Sequence, residues 1–251
     1  MKSRLALLAV TAATVVLSVA GCSSDDAPPN ATTTFQTTSI LLGKNDCGTL
    51  VYPNRGTQGR LIVNAGSVSC DAARSVVGQY VARPESAKIN VAAPADIDGW
   101  HCASTTGLTP DNEGVYARCT RGGDELLVID PEWKFDGRLA DAAEYLRADE
   151  IDIYHFTAGD GRWSCMLSSD VVGCAGKMAG GDAVEMVNGT TAKFTASGDR
   201  FTSNKARTLK PGTTLATSSY LCTAGDDGAL TCTTHDDAHG FTLTPGGQRV
   251  R

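Results

Sequence analysis

An uncharged apolar run from Leu5 to Val19 opens the chain behind Lys2 and Arg4. A basic start, an apolar stretch too short for a stable membrane span and an abrupt end have the shape of an export signal, residues 1–21. The pattern then turns polar. Ser23-Ser24-Asp25-Asp26-Ala27-Pro28-Pro29-Asn30 leads into the Thr-rich run Thr32–Thr38, and residues 22–45 offer little to bury, so they read as a flexible tether. Periodicity begins after that. Leu61-Ile62-Val63 reads as a strand segment. Ser69 is placed to cap a helix with Asp71 in its first turn, and Ala72, Ala73, Val76, Val77 and Tyr80 then share one face. Val115-Tyr116-Ala117 and Leu126–Ile129 predict further strands, with turn chemistry in Thr109-Pro110-Asp111-Asn112-Glu113-Gly114 between them. Residues 46–131 are therefore expected to form a small α+β domain.

A helical linker is expected over 132–148. Asp136 is a good N-cap, Leu139, Ala142, Ala143 and Leu146 repeat at helical spacing, and Arg138, Asp141, Glu144 and Arg147 make the solvated side. Residues 149–248 read as a β-rich domain. A short turn at Ser169-Asp170 sets Cys165 opposite Cys174, and a loop Asp226-Asp227-Gly228 sets Cys222 opposite Cys232. The fold class expected is thus an α+β domain and a mainly-β domain, both small and disulfide-stabilised, joined by a helix.

Cysteine usage sharpens this picture. The chain has nine cysteines, and Cys22 ends the stretch Leu17-Ser18-Val19-Ala20-Gly21-Cys22, which resembles the lipobox of bacterial lipoproteins. That resemblance implies cleavage before Cys22 and attachment of lipid to its thiol. An ordinary secretory signal, with Cys22 as one more disulfide partner, is the competing reading. Eight cysteines remain: Cys47, Cys70, Cys102, Cys119, Cys165, Cys174, Cys222 and Cys232. An even number in an exported chain reads as a disulfide framework. Zinc knuckles need far closer pairs than the eight residues that separate Cys165 from Cys174. Facing hairpin positions predict Cys165–Cys174 and Cys222–Cys232, since a bridge needs Cα atoms within about 7 Å. In the first half Cys47–Cys70 and Cys102–Cys119 are favoured among three connectivities.

Phe156, Gly161, Trp163, Cys165 and Cys174, followed by Cys222, Gly228, Cys232 and Gly240-Phe241, form a spaced pattern over roughly the last 95 residues. It resembles an uncharacterised four-cysteine family of secreted and lipid-anchored actinobacterial proteins, whose signature includes Ser-Pro-Ser-Gly-Asn-Ile. Gly159, Asp160 and Arg162 stand where that family has Pro, Ser and Asn. Cys47-Gly48, Val68-Ser69-Cys70 and Gly99-Trp100-His101-Cys102 also look like a domain of such envelope proteins. The resemblance implies an extracytoplasmic, disulfide-bonded protein and supplies no catalytic residue.

Charge and motifs narrow the chemistry. Without Lys2 and Arg4 the chain carries 20 basic and 28 acidic residues, a formal charge of -8, which disfavours nucleic acid as a partner. No H-E-x-x-H, G-x-S-x-G, S-x-x-K or phosphate-loop motif occurs. Gly159-Asp160-Gly161 lacks a third glycine and reads as a turn. The best metal constellation is His235 and His239 with Asp236 and Asp237 between them, which share a face only if the segment is helical. A solvated loop is the alternative and the stronger reading. His101 beside Cys102 and the single His155 read as incidental neighbours. Trp100, Trp133 and Trp163 mark either core positions or a ligand groove. The doublets Asp25-Asp26, Asp226-Asp227 and Asp236-Asp237 suit turns. The expectation is a lipid-anchored protein facing the extracytoplasmic side of the cell membrane, without catalytic residues, metal or cofactor. It would bind an envelope protein or glycan; an envelope hydrolase with an unrecognised site and a purely structural component are the alternatives.

Overall fold

The fold is described from a computed structural model, which describes residues 35–36, 45–51, 58–84, 93–104, 114–135, 137–147 and 150–251. The signal, Cys22, the tether apart from Phe35–Gln36 and Asn45, the turn residues Thr109–Glu113, and Asp136 lie outside them. In the first half, alternation along each strand sends one side chain in two to each face. The strands are β1 (Phe35–Gln36), β2 (Asp46–Val51), β3 (Gln58–Ala65), β4 (Ala95–Ile97), β5 (Trp100–Ser104), β6 (Val115–Arg121) and β7 (Asp124–Ile129). They form one antiparallel sheet in the order β1-β2-β3-β7-β6-β5-β4. The one α-helix among its described residues, α1 (Cys70–Val81), starts where the Ser69 hydroxyl accepts from the Ala72 N–H at 3.3 Å. Ala73, Val76, Val77, Tyr80 and Val81 are buried against Leu61, Val63, Trp100, Leu126 and Val128, whereas Ala72 is exposed. The bridge Cys47–Cys70 pins the helix start to β2, and Cys102–Cys119 joins facing positions of β5 and β6.

The second half holds two six-stranded sheets. One has the order β13-β12-β11-β10-β9-β14, from β9 (Tyr154–Ala158), β10 (Trp163–Leu167), β11 (Val171–Met178), β12 (Gly181–Val187), β13 (Lys193–Thr195) and β14 (Arg207–Thr208). The other has the order β19-β18-β17-β16-β15-β8, from β8 (Arg138–Leu139), β15 (Thr213–Ala216), β16 (Tyr220–Ala224), β17 (Leu230–Thr234), β18 (Gly240–Thr244) and β19 (Gly247–Val250). The two sheets repeat one plan: an antiparallel meander of five strands, with a short extra strand parallel to its first. The extra strands are exchanged. β8, which precedes the first meander, pairs with β15 of the second, and β14, which precedes the second, pairs with β9 of the first. One apolar cluster is shared by Tyr154, Phe156, Trp163 and Leu167 of the first sheet and Leu215, Tyr220, Phe241 and Leu243 of the second. Such a face-sharing pair of sheets buries the alternate residues of both.

The disulfides follow hairpin geometry. The Ser168 N–H donates to Val171 O at 2.8 Å, so the turn contains only Ser169-Asp170 and Cys165 faces Cys174. The Gly225 N–H donates to Ala229 O at 2.8 Å, and Gly228 at φ 77° closes the three-residue loop that sets Cys222 opposite Cys232. Both pairs are bonded and lie inside the shared cluster.

The helical linker expected over 132–148 is not formed, and with it falls the expected class of an α+β and a β domain joined by a helix. The described chain is mostly β-sheet with a single α-helix. Gly137 sits at φ 82° against the Gly212 carbonyl, where a Cβ would come within 2.3 Å of the oxygen. Leu139 is instead held as a strand. The Asn64 side chain accepts from the Leu139 N–H at 2.7 Å and donates to the Leu139 carbonyl at 3.0 Å, as a neighbouring strand would. On the other side the Arg138 and Ala140 N–H groups donate to Gly212 O and Thr214 O. Among the described residues of this stretch only Ala142–Glu144 coil, as one 3-10 turn capped by Asp141. A short isolated helix is marginal in water, so fixed backbone partners on both sides outweigh the Leu/Ala spacing.

This segment also joins the halves. Ile62, Val115, Leu127 and Ile129 of the first sheet share a buried cluster with Trp133, Leu139, Ala216 and Leu221. Arg60, buried and paired with Asp46 at 3.7 Å, donates to the Trp133 carbonyl.

Candidate functional site

The sequence-derived candidates fall into two places. The first surrounds His235. The strands β17 and β18 are joined by the turn 235–239, so His235 and His239 are not on a helix and do not share a helical face. The His235 ring stacks on Trp133, with centroids 5.0 Å apart and 17° between planes, and its Nε2 lies 2.7 Å from Thr217 O. That bond makes Nε2 the donor and leaves the enclosed Nδ1 without a partner. His239 Nδ1 lies 3.4 Å from the Thr191 hydroxyl instead. Clefts of 730 Å³ and 310 Å³ flank the His235 ring and present Glu132, Lys134, Asp236 and Asp237 around it. Among the described residues no group of three or more His, Cys, Asp or Glu side chains is placed to hold a metal ion. The acidic doublets serve turns. Asp227 accepts from the Ala229 N–H, Asp236 accepts from the Ala238 N–H and the Thr234 hydroxyl, and Asp237 pairs with Arg251. Asp25-Asp26 lies outside the described residues.

Burial holds the His235 imidazole below its ordinary pKa, against the opposing pull of the Thr217 carbonyl, Asp130, Asp236 and Glu132. The folded state therefore favours the neutral ring. The stability this contributes is complete above the unfolded value of about 6.5 and is lost as pH falls through the lower folded value. The urea midpoint of the wild type should fall between pH 7 and pH 5 more than that of His235→Gln. Equal falls would show that the ring titrates freely.

The second place is a cleft of 790 Å³ between residues 143–147, His155 of β9 and residues 203–207 leading into β14. The parallel pairing of β14 with β9 brings these distant segments together. His155 is 4% exposed, its Nε2 lies 3.0 Å from Glu150 Oε2, and its Nδ1 is enclosed without a partner. Glu150 also pairs with Arg147 at 3.4 Å. Ser203 lines the same cleft, but its hydroxyl accepts from the Lys205 N–H. A serine nucleophile needs a base with a free nitrogen facing it. Here one imidazole nitrogen is taken by Glu150 and the other is sealed, so these residues form no such pair.

The remaining candidates are structural. His101 is exposed and sits 3.1 Å from Asp96, while its neighbour Cys102 is in a disulfide. Trp100, Trp133 and Trp163 are all buried, which places them in cores rather than along a groove. Arg121 stacks over the Trp100 ring at 4.4 Å. Sequence reasoning passed over Tyr145, Lys205 and Arg207, and treated Arg147 as part of a solvated face. No local signal marks them, because the cleft is assembled by a strand pairing across some 50 residues. Among the described residues no helix is long and apolar enough to cross a membrane. Comparison with protein-family models, curated proteins and solved structures finds no match to this chain.

Proposed function

We propose that this chain is an exported, lipid-anchored binding protein of the extracytoplasmic face of the cell membrane, whose partner is an envelope protein or glycan. The observation that supports it is the state of the cysteines. Cys47, Cys70, Cys102, Cys119, Cys165, Cys174, Cys222 and Cys232 are consumed in four bridges. Such a framework belongs to an oxidising compartment. It leaves Cys22, at the end of the lipobox-like stretch, as the ninth cysteine and the one with a thiol to carry lipid. A single acyl chain binds a membrane only marginally, whereas two or more hold it stably at about 0.8 kcal/mol per buried CH₂. Binding rather than hydrolysis is favoured by the His155 geometry, in which neither imidazole nitrogen is free to face a nucleophile.

The test is Cys22→Ser. The variant should lose incorporated lipid and move from the membrane fraction to the soluble extracytoplasmic fraction, with the four bridges intact by non-reducing peptide mapping. An unchanged membrane fraction would remove the anchor from this reading.

A further inference from the structure

His235 sets a titratable ring where the two halves of the fold meet. Its imidazole lies nearly parallel to the Trp133 ring, with centroids 5.0 Å apart. Trp133 belongs to the cluster that joins Ile62, Val115 and Leu127 to Leu139, Ala216 and Leu221, and its ring also rests against Gly114. The imidazole is thus the cover on one side of an indole that is only 4% exposed. In that position only one neutral tautomer fits. Nε2–H donates to Thr217 O at 2.7 Å, and Nδ1 is enclosed with no partner among the described residues. A proton on Nδ1 would make a charged N–H that reaches neither water nor an acceptor, a costly state. The indole face attracts an imidazolium, but it lies against the ring plane and cannot satisfy an N–H at the ring edge.

We infer that His235 is a pH-operated cover: protonation rotates its ring off Trp133 toward the carboxylates of Glu132 and Asp236, which uncovers the indole and joins the clefts of 730 Å³ and 310 Å³ that share His235 in their walls. Charged groups face the ring from two elements. Asp130, Glu132 and Lys134 lie on the segment after β7, with the Arg60 guanidinium of β3 close to Asp130, and Asp236 and His239 lie on the turn of His235 itself. Beyond the end of β15 stands the Thr217 carbonyl. Asp130 is already engaged by the Tyr116 hydroxyl and the Glu132 N–H. Asp236 is held below the ordinary carboxylate pKa by the Thr234 hydroxyl and the Ala238 N–H, so it stays an anion. The clefts give the ring room to rotate. The turn can keep its backbone bonds, Thr234 N–H to His239 O and Asp237 N–H to Thr234 O, because neither involves the imidazole. Carboxylates thus favour the imidazolium in the open position, and the sealed Nδ1 excludes it from the closed one. Protons bind the open state more tightly, so a fall in pH populates it. The inference goes beyond the binding reading above and does not depend on the anchor at Cys22.

Fluorine NMR of the full chain in detergent, labelled with fluorotryptophan, tests it. Trp100, Trp133 and Trp163 give one signal each, and Trp133→Phe identifies the one that matters. Broadening of the Trp133 signal by a dissolved neutral gadolinium chelate reports the open fraction. With one proton per opening and an open-state pKa near the ordinary value of about 6.5, that broadening should grow on the order of tenfold from about pH 7.5 to about pH 5.5. The Trp100 and Trp163 signals should not change. His235→Gln keeps a donor for the Thr217 carbonyl but does not titrate, so its Trp133 broadening should be independent of pH. His235→Phe, which keeps a flat ring on the indole, should behave the same way, and His239→Gln should respond as the wild type does. A Trp133 signal in the wild type that ignores pH, a response that persists in both His235 variants, or the exposure of all three tryptophans in one cooperative step would each overturn the inference. None of these results bears on the Cys22→Ser fractionation, so the two readings fail separately.

Discussion

Reduction of all four disulfides should leave the chain unfolded at room temperature. The bridges close intervals of 23, 17, 9 and 10 residues. In the chain-entropy account each contributes about 3 kcal/mol, and loop length changes this only logarithmically, so together they are on the order of 12 kcal/mol. That is comparable to the whole stability of an ordinary domain, about 5–15 kcal/mol. The cores do not compensate for the loss. Only 6% of the residues are aromatic, and much of the buried set consists of Ala, Val and the cysteines themselves. The sulfurs are also protected in the folded state, since Cys102, Cys165, Cys174, Cys222 and Cys232 are fully buried. Mild reductant should therefore act slowly on native protein and quickly once denaturant opens it. Circular dichroism of the fully reduced, alkylated chain checks the main expectation. A native β-sheet spectrum with a cooperative melt would show that packing alone suffices. Single-bridge variants such as Cys222→Ala with Cys232→Ala should each lose about 3 kcal/mol and still fold.

Trp133→Ala is expected to destabilise the chain by about 3–5 kcal/mol, from the lost transfer of a large ring and the cavity it leaves. Trp133 is 4% exposed and belongs to the cluster shared by the two halves. Its ring lies against Gly114, where a Cβ would come within 2.0 Å, and its other side carries the His235 imidazole. Truncation thus unseats both faces at once and loosens the carbonyl that receives the buried Arg60 guanidinium. For a domain of 150–250 residues the thermal midpoint should fall by on the order of 10 °C. Trp133→Phe, which refills part of the space, should recover more than half of that. A drop below about 1 kcal/mol for the Ala variant, of the size seen at surface positions, would mean that the junction contributes little to stability.

Legibility differs from element to element for a physical reason. The helix α1 was readable because its start and its packing face are local: Ser69 caps its own first turn, and Ala73, Val76, Val77 and Tyr80 recur at helical spacing. The linker was misread because Leu139, Ala142 and Leu146 also fit that spacing, while the groups that decide their backbone conformation, Asn64 and Gly212–Thr214, are some 75 residues away. The His235–His239 spacing had the same ambiguity and was settled by a turn between paired strands.

By itself the sequence determined whatever depends on neighbours along the chain. Turn lengths at Ser169-Asp170 and Asp226-Gly228 place cysteines face to face, and a capped amphipathic stretch makes one helix. Tertiary structure alone decided the exchange of β8 and β14 between the two sheets, the burial of all three tryptophans and the convergence of Arg147, Lys205 and Arg207 on one cleft. Those outcomes depend on hydrogen bonds and contacts between segments tens of residues apart. Two-residue strands have no periodicity to reveal them, and a cation's role depends on what stands opposite it.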